Sequence, residues 1–202
     1  MLQRGVSMSR GEMWVRGSGA RRLRDAAQQC YTELASTEPT EEDRIQILKD
    51  LPRTFPEHPF FAVAVDPGKD GGDTLQPSHT HSLIRPLQRV LTALVVRKPG
   101  SYTQGLNFVA GVILLAGVNE EDTFWCIVAV VEELFPNFYA DNLSGTKVEN
   151  AIVKSLLKQH YPRMSHHLAE LGIPPELFTT EVRTHLHAYV YVCNHALVDA
   201  DA

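Results

Sequence analysis

From Leu106 to Ala116 the chain runs eleven residues with a single polar side chain, Asn107. No polar face recurs at helical spacing. A helix that is apolar all round must have neighbours on every side, so this stretch demands a multi-helix core. It falls short of the ~18 apolar residues of a membrane span. Length therefore makes it a buried core helix.

The flanking segments supply the neighbours. Leu23, Ala26, Ala27, Cys30, Tyr31 and Leu34 recur at spacings of three and four, which predicts a helix over 20–36. Thr40 is placed as an N-cap, with Glu41, Glu42 and Asp43 favourable to the dipole in the first turn. Pro52 stops that helix near Leu51. Ile84, Leu87, Val90, Leu91, Leu94 and Val95 share one face of a further helix, with Pro86 in its first turn. Asn119 opens another, closed by Pro136. Val148, Ile152, Val153, Leu156, Leu157 and Tyr161 mark an amphipathic helix, and Ser165 to Leu171 a short one ended by Gly172. Five or six helices and no convincing strand pattern make the fold all-α. Residues 1–13 are expected to be disordered, and residues 66–81, rich in Gly and charge, to form a mobile surface loop.

Composition excludes several functions. Net charge is −5, from 19 basic and 24 acidic residues. That balance gives no reason to expect nucleic-acid or anionic-membrane binding. Cys30, Cys126 and Cys193 are an odd, scattered set, against a disulfide framework and for a reducing cytosol. The opening residues lack the ~7–15 apolar residues of a secretory signal. The pairs His79/His81, His166/His167 and His185/His187 are not at ligand spacing on one helix face, which argues against zinc. The stretch 67–73 lacks P-loop order, and its aspartates lack EF-hand spacing. No nucleophile–base pair stands out.

Two short runs remain: Ile47-x-x-Asp50-x-x-Arg53 followed by Thr-Phe-Pro, and Tyr102-x-Gln104-Gly105-x-Asn107-Phe108. Taken singly, Arg53 with Asp50 reads as a solvated ion pair, and Gln104 as a helix-start residue. Taken in order, they place a guanidinium and an amide in one chain. Those are the groups that one protein can lend to another's phosphoryl-transfer site.

With Glu120-Glu121-Asp122-Thr123-Phe124-Trp125, Trp14 before Ser18-Gly19-Ala20, His58-Pro59-Phe60-Phe61 and Arg89-Val90-Leu91, these runs resemble the TBC domain of Rab GTPase-activating proteins. The resemblance covers residues 14–181. It implies an all-helical, two-lobed domain docking on a Rab-type small GTPase, without membrane insertion, in the cytoplasm or on endomembranes during vesicle trafficking. It also implies that Arg53 stabilises charge on the transferring phosphoryl group, while Gln104 orients the attacking water. An arginine finger is worth roughly 10³–10⁵ in kcat. Asp50, Tyr102, Gly105 and Asn107 would support them. GTP and magnesium would belong to the partner, so the chain needs no cofactor or metal of its own and is no independent hydrolase. A non-catalytic helical scaffold that binds a GTPase, or an inactive truncated domain, is the alternative.

The chain departs from the family at three places. The approach Lys98–Tyr102 looks short, and the loop 62–81 looks long. After Glu181 the second lobe expected of the family is replaced by residues 182–202. Their strict alternation over 184–193 reads either as translated non-coding sequence or as an edge strand. Only the first lobe and the start of the second are therefore expected. Apolar surface around 106–118 would then be exposed, an invitation to association.

Overall fold

A computed structural model describes residues 8–64, 76–77, 82–103, 105–135, 144–174 and 177. Among them the chain is helical. The elements are α1 (Arg10–Gly17), α2 (Ala20–Ala26), α3 (Tyr31–Ser36), α4 (Glu41–Asp50), α5 (Ile84–Arg97), α6 (Leu106–Leu115), α7 (Glu120–Ala129), α8 (Ser144–His160) and α9 (Pro162–Glu170). A 3₁₀ turn, Leu51–Arg53, follows α4, and a π-helical turn, Val130–Leu134, extends α7. No strand was expected, yet Val63–Ala64 and Gln76–Pro77 form a minimal antiparallel pair. Apart from Gln76–Pro77, the loop expected over 66–81 lies outside the described residues, as does all of 182–202.

The local stops and starts follow backbone chemistry. Thr40 accepts from the Asp43 N–H at 3.2 Å, and Asn119 accepts from the Asp122 N–H at 2.9 Å. Each such cap stabilises its helix by about 1 kcal/mol. Gly172, at φ +65°, ends α9, with the Ile173 N–H donating to the Leu168 carbonyl.

Helix α5 is the centre of the fold. It packs on α3, α4, α6 and α7, and Leu87, Val90, Leu91 and Leu94 are wholly buried. Helix α7 runs beside it and contributes Phe124, Trp125, Ile127 and Val128. The Arg97 guanidinium lies over the Trp125 ring, 5.5 Å from its centre, and pairs with Glu132 at 2.9 Å.

Three expectations need correction. The stretch expected to be disordered contains the first turn of α1. Ser9 caps that helix, accepting from the Glu12 N–H at 3.1 Å, and Trp14 and Val15 anchor it in the core. Gly11 lets it approach the α6–α7 turn, where an added Cβ would sit 3.0 Å from the Ala116 carbonyl oxygen. The second correction concerns the single helix expected over 20–36, which is broken. Ala27 and Cys30 are extended, with ψ of 139° and 138°. Helix α2 packs on α7 while α3 packs on α5. A continuous helix could not turn to serve both. Third, the strongest apolar exposure does not fall on α6, whose Leu106, Val109, Ala110 and Ile113 are buried and whose Phe108, Val112 and Leu115 are half-buried. It falls on α8 and α9, which pack on each other and leave Val148, Ile152, Leu156 and Met164 in solvent.

Candidate functional site

Helix α4 ends at Asp50 because Pro52 cannot continue it, and the chain tightens into the 3₁₀ turn. That turn throws Arg53 outward. Its side chain is 70 % exposed, whereas that of Asp50 is 4 % exposed. The two charges are 3.9 Å apart, at the outer edge of an ion pair. A contact so wet contributes little to stability. It leaves the guanidinium available, and guanidinium keeps its charge at any ordinary pH.

Asp50 is the inner anchor. The Tyr102 hydroxyl donates to its Oδ2 at 2.8 Å across 52 residues of sequence. Burial, and then the Asp50 charge, push the Tyr102 hydroxyl far above the ordinary tyrosine range. The phenol therefore stays a donor, because ionising it would set a second anion against Asp50.

A second link lies one turn further on. Thr54 is fully buried; its hydroxyl donates to the Asp50 carbonyl at 2.9 Å and accepts from Asn107 Nδ2 at 2.8 Å. Asn107 Oδ1 in turn accepts from the Gly105 N–H at 3.2 Å. Gly105 starts α6 at φ +106°, a conformation nearly reserved for glycine. Phe55, at φ +46°, is a non-glycine residue in the left-handed region, strain of order 1–3 kcal/mol. Its ring packs on Phe61 and Phe108 and fills the space where a Cβ on Gly111 would lie.

The structure thus brings Asp50, Arg53, Tyr102, Gly105 and Asn107 to one corner between the end of α4 and the start of α6. Gln104 lies outside the described residues, between Thr103 and Gly105. Thr54 was missed by sequence reasoning. Its only local signal is a polar residue placed between Arg53 and Phe55, and nothing in the chain announces a partner 53 residues away.

A second polar cluster ties α3, α5 and α7 together: Arg89 and Tyr31 both donate to Glu120. Burial works to raise the Glu120 carboxyl, but these donors outweigh it and hold it below the ordinary range. Its members are committed to one another and bridge helices. Among the described residues no group of three or more His, Cys, Asp or Glu is placed to hold a metal, and no helix is long and apolar enough to cross a membrane.

Residues 7–197 match the family model described as the Rab-GTPase-TBC domain. Human TBC1 domain family member 2A is 34 % identical over 154 residues, which cover 74 % of this chain and 15 % of that protein. Human growth hormone-regulated TBC protein 1 is 31 % identical over 176 residues, covering 85 % of this chain and 48 % of its own length. The rat counterpart of the first is 34 % identical over 136 residues, or 66 % of this chain and 13 % of its own. The chain thus spans less than half the length of these curated relatives.

Proposed function

Because the chain belongs to the Rab-GTPase-TBC domain family, we propose that it activates a Rab-type GTPase by lending Arg53 and Gln104 to the partner's active site. The observation that supports this reading best is the contrast within three residues: Asp50 sealed in the fold, Arg53 projecting 70 % exposed beside it. A rigid base under a free guanidinium suits a group that must enter another protein's site. The guanidinium meets charge on the transferring phosphoryl group, and the amide of Gln104 orients the attacking water. In this reading the nucleotide and its magnesium belong to the GTPase, and the chain hydrolyses nothing alone. Its action then lies where that Rab lies, on a trafficking membrane reached through the partner.

The test is phosphate release from a panel of GTP-loaded Rab proteins. Wild type is expected to accelerate at least one, and Arg53→Ala and Gln104→Ala are each expected to abolish most of the gain. Acceleration that survives both substitutions would sink the two-finger mechanism.

One observation favours a binding module instead. The uncovered apolar row on α8 and α9 offers contact area away from Arg53. That reading gives Rab binding without acceleration, unchanged by Arg53→Lys.

A further inference from the structure

We propose that Thr54 is a positioning residue whose hydroxyl holds the Arg53 turn and the start of α6 in one fixed register. The inference rests on the reading above, in which those two segments carry the catalytic groups.

The hydrogen-bond directions follow from counting protons. A threonine hydroxyl has one proton. The Asp50 carbonyl can only accept, so that proton is committed there, at 2.9 Å. Thr54 must then accept from Asn107, which therefore presents its NH₂ to Thr54 at 2.8 Å. The amide oxygen is left to face the Gly105 N–H at 3.2 Å. The result is a one-way relay from Gly105 through Asn107 and Thr54 to Asp50. Bonds aligned in this way strengthen one another. Its buried members, Asp50, Thr54 and Asn107, are at most 3 % exposed, so water offers no ready substitute.

The relay closes a clip around Arg53. The Thr54 N–H donates to the Leu51 carbonyl at 3.1 Å, and its hydroxyl reaches Asp50, so the 3₁₀ turn carrying Arg53 is tied at both ends. The methyl group of Thr54 would lie 3.2 Å from a Cβ added at Gly111, which shows how closely this segment rests on α6. Tyr102 makes a parallel link to the Asp50 side chain. It does not reach Gly105. Thr54, through Asn107, joins the backbone beneath Arg53 to Gly105, the residue adjoining Gln104.

Valine has the shape of threonine without the hydroxyl. Thr54→Val strands the Asn107 NH₂ and frees the amide to turn over, which releases the Gly105 N–H. The test uses the full chain as wild type, Thr54→Val and Thr54→Ser, with Leu34→Val in α3 as a destabilised control remote from the relay. Amide hydrogen exchange is followed residue by residue, and the GTP hydrolysis that the chain stimulates in a Rab protein is resolved into kcat and KM. We expect Thr54→Val to speed Gly105 exchange about tenfold. It should also lower kcat by about 10- to 100-fold, with KM within about threefold. Thr54→Ser should restore both, and Leu34→Val should change neither selectively.

Unchanged Gly105 exchange in Thr54→Val would overturn the proposal. So would faster exchange with wild-type kcat, since the register would then not matter to the reaction. Faster exchange with no Rab stimulation by wild type leaves the relay standing and removes only the Rab reading. Should Thr54→Val not fold, Thr54→Cys supplies a weaker acceptor in similar volume, with the same expected directions.

Discussion

Removing the Asp50–Tyr102 bond should separate what holds the candidate site together from what it does. Asp50 is 3 % exposed, and its carboxylate accepts from the phenol at 2.8 Å. A hydrogen bond to a charged group contributes about 1.5–3 kcal/mol, and a buried partner left alone costs about 1–3 kcal/mol. Among the described residues Tyr102→Phe leaves the carboxylate with only the wet contact to Arg53, so it should cost about 2 kcal/mol. Asp50→Ala strands the phenol and should cost about 2–3 kcal/mol. Removing both orphans neither group. The double variant is therefore expected to fall short of the sum by about 1–2 kcal/mol, the coupling energy of the pair. For a chain of this size 1 kcal/mol moves Tm by about 2–4 °C, so each single variant should melt roughly 4–12 °C lower. Urea unfolding of the four proteins measures the cycle. Arg53→Ala is the internal contrast, expected within about 1 kcal/mol of wild type because its side chain is 70 % exposed. Additive losses, with no coupling between Asp50 and Tyr102, would refute the idea that this bond joins the two segments.

Gly111→Ala should destabilise by about 1–3 kcal/mol through overpacking, because its Cβ would sit 2.9 Å from the Phe55 ring; an unchanged urea midpoint would contradict that contact. Tyr102 and Tyr31 are both held neutral in the folded chain by burial and a carboxylate neighbour. Their contribution is complete below about pH 10, where the unfolded phenols are also neutral, and is lost as pH rises further. The fall in stability from pH 9 to pH 11 should accordingly be shallower in Tyr102→Phe than in wild type. Burial pushes the Cys126 thiol up to about 12, while exposed Cys30 is lowered by a hydrogen bond with Thr32. Thiol alkylation at pH 8, read by peptide mass, should modify Cys30 well before Cys126.

Several helix stops and starts were readable because the deciding chemistry lies within a few residues. Thr40 and Asn119 bond to N–H groups three positions on, and Pro52 acts on its own turn. The order of the two motifs was readable too, and with it the family. The break after Ala26 was not. Residues 27–30 carry no Gly or Pro, and the kink exists because Tyr31 must reach Phe124, 5.2 Å between ring centres, and Glu120. The first turn of α1 was hidden likewise, since Trp14 and Val15 rather than local propensity fix it.

The sequence alone determined the helical class and the extents of α5 and α6 to within a residue or two, because periodicity and caps are local. Tertiary structure alone decided that Asp50 is buried while Arg53 is exposed, and that Thr54 meets Asn107. Those outcomes depend on bonds between residues 52 and 53 positions apart. A partner so distant leaves no periodic trace in the chain. It becomes visible only when the packing of α4 and α6 against α5 carries both segments to the same corner.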